Sequence, residues 1–114
     1  MIKLSNNIKV LVPATTNDGA KVDFTSEITA VIGAVGGATT YPATGSWLDG
    51  GKLYTDNIKV VQFNAVELDS KAILSIDSLV RAIFIKAEQL AVSVEVNGTL
   101  YILESVNDIS ELFN

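Results

Sequence analysis

This chain of 114 residues has no histidine and no cysteine. The commonest general base, thiolate nucleophiles, disulfides and imidazole- or sulfur-ligated metals are therefore removed together. Any chemistry falls to carboxylates, lysine, hydroxyls and backbone amides. Three carboxylates stand where strands and turns are expected, Asp49, Asp56 and Glu95, and paired acids can serve as acid and base or hold Mg²⁺. Their spacing forms no motif. Asp49 belongs to an Asp-Gly-Gly turn, and a solvated glutamate on a strand face such as Glu95 is ordinary. A second set, Thr39, Tyr41, Thr44, Ser46, Trp47, Lys52 and Tyr54, combines aromatic faces for stacking a base or sugar with hydroxyls and one cation. Lys59 is the alternative cation. A nucleotide fits there only if amides and hydroxyls carry most of the contacts. The plainer alternatives are that these aromatics pack across strands or over a dimer interface, or that Trp47 is core. The expected site is thus a ligand site beside the Thr39–Trp47 strand, with no catalytic residue, metal or cofactor assigned.

Two glycine-rich stretches invite comparison with phosphate loops. Gly36-Gly37-Ala38-Thr39 follows a helix instead of opening one, and no Gly-Lys-Ser/Thr ends it, so it reads as a helix C-cap. Gly50-Gly51-Lys52 reads as a turn by the same reasoning. Asn97-Gly98-Thr99 matches a glycosylation sequon, but the Asn-Gly hairpin turn accounts for it.

The elements that must position these residues follow from periodicity. Ile8, Val10 and Val12 mark a first strand ended at Pro13. Asp23 stands as an expected N-cap, and Phe24, Ile28, Val31, Ile32 and Val35 form a helical stripe stopped by a left-handed Gly36. A strand through Thr39–Trp47 turns at Asp49-Gly50-Gly51 into LYTDNIKVVQFNA, apolar on both sides at its centre and therefore a candidate for a central strand. Asp69 or Ser70 caps a second helix, with Ile73, Ile76, Val80, Ile83, Phe84, Ala87 and Leu90 as its seam. Asp77 and Arg81 are a solvated pair on its flank. Val92, Val94 and Val96, then Asn97-Gly98, then Thr99, Tyr101 and Leu103 give a type I′ hairpin whose second face carries Ser93, Glu95, Leu100 and Ile102. Asp108 and Glu111 have capping-box spacing in a tail, 105–114, where Ile109, Leu112 and Phe113 form a short docking turn.

The order β-α-β-β-α-β-β predicts one α+β domain over 1–114, a split βαβ plait of the ferredoxin-like kind with an antiparallel sheet and two helices on one face. Leu100 and Ile102 fall on the other face, and a homodimer or higher homo-oligomer is the economical way to cover it. The net charge of -5, with seven lysines and Arg81, argues against a nucleic-acid surface. No apolar run approaches the ~20 residues that span a bilayer, and the N-terminus has no secretory h-region. A cytoplasmic address is expected.

The stretch GGATTYPATGSWLDGGKLYTDNIKVVQF resembles a pattern of small uncharacterised phage and mobile-element proteins: GGAT, a small-residue spacer, G-x-W, then an acidic residue before an apolar strand. AEQLAVSVEVNGTLYIL resembles their closing helix end and hairpin. The middle segment is similar to a domain-of-unknown-function family (number 3574) of small plait proteins. In that pattern a glutamate often precedes the apolar strand and a glutamine often ends the last helix; here Asp56 and Gln89 stand there. The resemblance implies a plait fold and a mobile-element origin, and carries no activity.

Two functions compete at this level. The first is a non-enzymatic phage or mobile-element accessory protein that binds and sequesters a host defence protein or a small, nucleotide-like signalling ligand. The alternative is a small hydrolase or isomerase using Asp49, Asp56 or Glu95, which requires two of these carboxyls within roughly 5–9 Å of each other.

Overall fold

The structure, a computed structural model, describes residues 1–113. The elements are β1 (Asn6–Pro13), α1 (Thr25–Val35), β2 (Ala38–Asp49), β3 (Lys52–Ala65), α2 (Ser70–Lys86), β4 (Val92–Val96), β5 (Thr99–Leu103) and a closing 3-10 helix, Val106–Glu111. The five strands form one antiparallel sheet in the order β2-β3-β1-β4-β5. The first four strands have the plait order, and the Asn97-Gly98 hairpin appends β5 at the edge. The middle position belongs to β1, and the long third strand lies inside the sheet next to it, as expected. Ile8, Val10 and Val12 of β1 are all buried, and β3 and β4 pair on either side of it. β3 is interior too, with both Val60 and Val61 buried.

Alternation assigns the faces. Ile8, Val10, Val12, Val61, Phe63, Val92, Val94 and Leu103 point into a core completed by Phe24 and Val31 on the α1 side and by Ile76, Leu79, Val80 and Ile83 of α2. α1 ends as its composition dictates, because Gly36 adopts φ 105° and donates its N–H to Ile32 O. Its start lies one residue later than expected. Phe24 occupies the cap position, and Asp23, preceding it, accepts from Thr25 N and Thr25 Oγ1. Asp69 caps α2 by accepting from Ala72 N at 2.9 Å. The α2 seam includes Ala72 and Leu79, while Leu90 lies beyond the helix and is exposed. Asn97 and Gly98 both take positive φ, as a type I′ turn requires, and the pairings Val92–Leu103, Val94–Tyr101 and Val96–Thr99 match the register read from the sequence.

The tail docks on its own domain. Ile109 and Leu112 are buried in the core cluster, with Phe113 packed against it. The capping box is three residues earlier than expected. Ser105 is the cap and Asp108 its reciprocal partner, because the Asp108 carboxylate accepts from Glu104 N and Ser105 N. No helix among the described residues is long and apolar enough to cross a membrane.

Candidate functional site

The β2–β3 hairpin is much longer than the sheet it belongs to. β1 reaches only Pro13, opposite Ile58, whereas β2 and β3 continue to pair with each other out to Asp49 and Lys52. Six residue pairs therefore project as a two-stranded arm of about 20 Å, given a rise near 3.3 Å per residue. The molecule is correspondingly elongated, at 47 × 27 × 25 Å. Gly50 (φ 59°) and Gly51 (φ 79°) close the arm in a two-residue turn that needs left-handed backbone at both positions.

That turn fixes what faces what. Pairing runs Asp49–Lys52, Leu48–Leu53, Trp47–Tyr54, Ser46–Thr55, Gly45–Asp56, Thr44–Asn57 and Ala43–Ile58. One side of the arm, continuous with the open side of the sheet, presents Tyr41, Ala43, Gly45, Trp47 and Asp49 beside Lys52, Tyr54, Asp56 and Ile58. The rings of Trp47 and Tyr54 stack with centroids 5.6 Å apart and planes 14° from parallel, and the Lys52 ammonium lies 5.1 Å from the Tyr54 ring centroid. Next along the ribbon, Gly45 has no side chain and no atom within 4 Å of where one would stand. The result is a notch walled by the aromatic pair on one side and by Ala43 and Ile58 on the other, with Asp56 directly across from Gly45. The Asp56 carboxylate is exposed and makes no hydrogen bond or ion pair among the described residues.

Five of the seven expected ligand residues, Thr39, Tyr41, Trp47, Lys52 and Tyr54, thus share one face. Thr44 and Ser46 do not. They point to the opposite side, where Ser46 Oγ lies 3.5 Å from Thr55 Oγ1. Trp47 is cross-strand packed, as one of the plainer alternatives holds, but it is 48% exposed and not core. Gly45 is the position that sequence reasoning missed. Counting back from a two-residue Gly50-Gly51 turn would have placed it against Asp56.

The three carboxylates do not converge. Asp49 is at the arm tip, Asp56 four residues along β3 from Asp49's partner, and Glu95 on β4 paired with Lys9 at 3.4 Å. Strand rise and spacing separate Asp49 from Asp56 by about 14 Å and Asp56 from Glu95 by about 22 Å. These three carboxylates therefore share no cleft within one chain, and no group of three His, Cys, Asp or Glu side chains that could hold a metal ion is found among the described residues. What the notch can do is hold a planar base against aromatic faces and a cation against a lone carboxylate.

Two solved structures share this fold. One is a phage SAM lyase in complex with S-methyl-5'-thioadenosine, at a TM-score of 0.62 and 16% identity, covering 92% of this chain and 95% of that chain. The other is a phage SAM lyase in the apo state, at 0.58 and 15% identity with the same coverage. No protein-family model matches the chain, the domain-of-unknown-function family of the sequence reading included, and no curated protein matches it. Both are phage proteins, and what they share with this chain is the fold.

Proposed function

We propose that this protein takes S-adenosylmethionine at the arm notch and breaks its sulfonium, releasing S-methyl-5'-thioadenosine. The observation that carries the reading is the end-to-end fold likeness to a lyase that holds that nucleoside. The residues suit the reaction independently. A sulfonium is a leaving group already activated by its charge: the substrate's own carboxylate closes on Cγ to form a lactone as the S–Cγ bond breaks, the electron pair stays on sulfur and a neutral thioether departs. Such a step needs neither histidine nor thiolate, both of which this chain lacks. The adenine stacks on the Trp47–Tyr54 wall, and Tyr41 and Thr39 stand further along the same face. Asp56 holds the substrate's ammonium, the role left to a lone unpaired carboxylate facing a bare glycine backbone. Removing S-adenosylmethionine from a host cell would deprive methyl-dependent defence of its donor, which keeps the anti-defence expectation and replaces sequestration by turnover.

The open sheet face is read as the seat of a second copy of the chain, as a homo-oligomer. Leu100 and Ile102 stand uncovered on its β5 edge, with Ser93 and the Lys9–Glu95 pair between them and the half-buried Leu11 and Ile58.

The test uses the single tryptophan. Titration with S-methyl-5'-thioadenosine should change Trp47 emission in a saturable way, and adenosine-free methionine should not. Absence of saturable binding by either S-methyl-5'-thioadenosine or S-adenosylmethionine overturns the reading.

A further inference from the structure

The arm carries apolar side chains on both sides, and the ligand notch uses only one. On the other side Leu48 and Leu53 face each other across the ribbon at 72% and 62% exposure, next to Ser46 and Thr55. A two-stranded ribbon without a covering layer is marginal in water, and an opposed leucine pair at its end has no use there unless something buries it. The rest of the chain cannot. The arm extends in the plane of the sheet beyond Pro13, so it cannot fold back onto the sheet it continues.

A second uncovered apolar surface exists on the same molecule, the open sheet face with Leu100 at 53% and Ile102 at 63% exposure. Its charge is nearly balanced, although the chain as a whole is at -5. Of the three strand carboxylates, Glu95 pairs with Lys9 and Asp49 stands across from Lys52, only Asp56 has no cation across from it, and the remaining acids lie on helices and loops. Such a face accepts another acidic copy without like-charge repulsion across the contact.

From these two surfaces we infer that the Leu48–Leu53 side of one copy's arm packs on the Leu100–Ile102 side of a second copy's open face. The inference rests on the self-association reading above and adds which parts meet. The contact is between two different patches, so it closes only when every copy both gives and receives an arm, in a reciprocal dimer or a ring. The Trp47–Asp56 side of the docked arm is left free for ligand.

The absence of cysteine makes the test clean. Leu48→Cys protein is mixed with Ile102→Cys protein and treated with a short bis-maleimide, while light scattering follows the unmodified chain and a Leu48→Lys/Leu53→Lys double variant. Neither leucine is in the core, so circular dichroism of the double variant should be unchanged. The proposal expects an assembled parent, a crosslinked band enriched at least several-fold in the mixture over either protein alone, and a monomeric double variant. A monomeric parent overturns both this inference and the association reading. An assembled parent whose double variant stays assembled, or whose crosslinks form only between two Leu48→Cys chains, overturns the arm contact alone.

Discussion

Replacing Trp47 with alanine separates a ligand wall from a core residue by magnitude. Trp47 is 48% exposed and its main neighbour is the stacked ring of Tyr54. Such aromatic pairs contribute about 0.5–1.5 kcal/mol beyond burial. For a domain of this size that corresponds to a fall in Tm of roughly 2–6 °C. A buried tryptophan would cost about 3–5 kcal/mol and would abolish cooperative melting in a domain of ordinary marginal stability. Binding should respond more sharply, because removing an aromatic face from a base costs about 1–3 kcal/mol, or roughly 5- to 150-fold in Kd. Circular dichroism melting and calorimetric titration with S-methyl-5'-thioadenosine measure the two effects on one sample. A Tm change of a few degrees with binding weakened at least fivefold is expected. Binding within twofold of the parent would put the base elsewhere, and loss of the folded state would refute the argument from exposure.

Other substitutions probe the remaining parts. Asp56→Asn should lower kcat/KM for S-adenosylmethionine by roughly 10- to 150-fold, the ~1.5–3 kcal/mol of a hydrogen bond to a charged group. It should leave binding of S-methyl-5'-thioadenosine, which has no ammonium, within about twofold, as a parallel titration would show. Gly45→Val should fill the notch beside Asp56 and weaken nucleoside binding while leaving the melting transition within a few degrees, since Gly45 lies outside the core and has no positive φ. Leu79→Ala, at a fully buried position of α2, should cost about 2–5 kcal/mol by denaturant unfolding. The Lys86 ammonium at 2.8 Å holds the Glu27 carboxyl below its usual 4.5. A lowered folded value gives stability that is present above 4.5 and is lost as the pH falls through the folded value. Lys86→Met should remove that part of the acid sensitivity and cost about 0.2–1 kcal/mol at neutral pH, as chemical denaturation at neutral pH and at acid pH below the ordinary glutamate range would show.

The parts of the fold legible in the sequence are those that local chemistry fixes alone. Asn97-Gly98 dictated a turn type and with it five cross-strand partners, and Gly36 dictated where α1 stops. Strand order was less legible. Val60 and Val61 mark β3 as interior, which it is, but burial on both faces does not show that the short β1 holds the middle place with β3 and β4 on either side. Face assignment of the site was half legible: alternation groups Thr39, Tyr41 and Trp47, yet the hydroxyls of Thr44 and Ser46 were assigned by proximity in sequence when parity puts them on the reverse side. The notch itself depends on which residue stands opposite Asp56. That is a property of pairing register, invisible to composition until the Gly50-Gly51 turn is taken as exactly two residues long.

The most direct measurement of the central claim is turnover. Purified protein is incubated with S-adenosylmethionine and the nucleosides are separated by liquid chromatography with mass detection, with Asp56→Asn protein run alongside. The account predicts that S-methyl-5'-thioadenosine accumulates over many equivalents of protein, and at least tenfold more slowly with Asp56→Asn. Recovery of intact S-adenosylmethionine after prolonged incubation, bound or free, would contradict it.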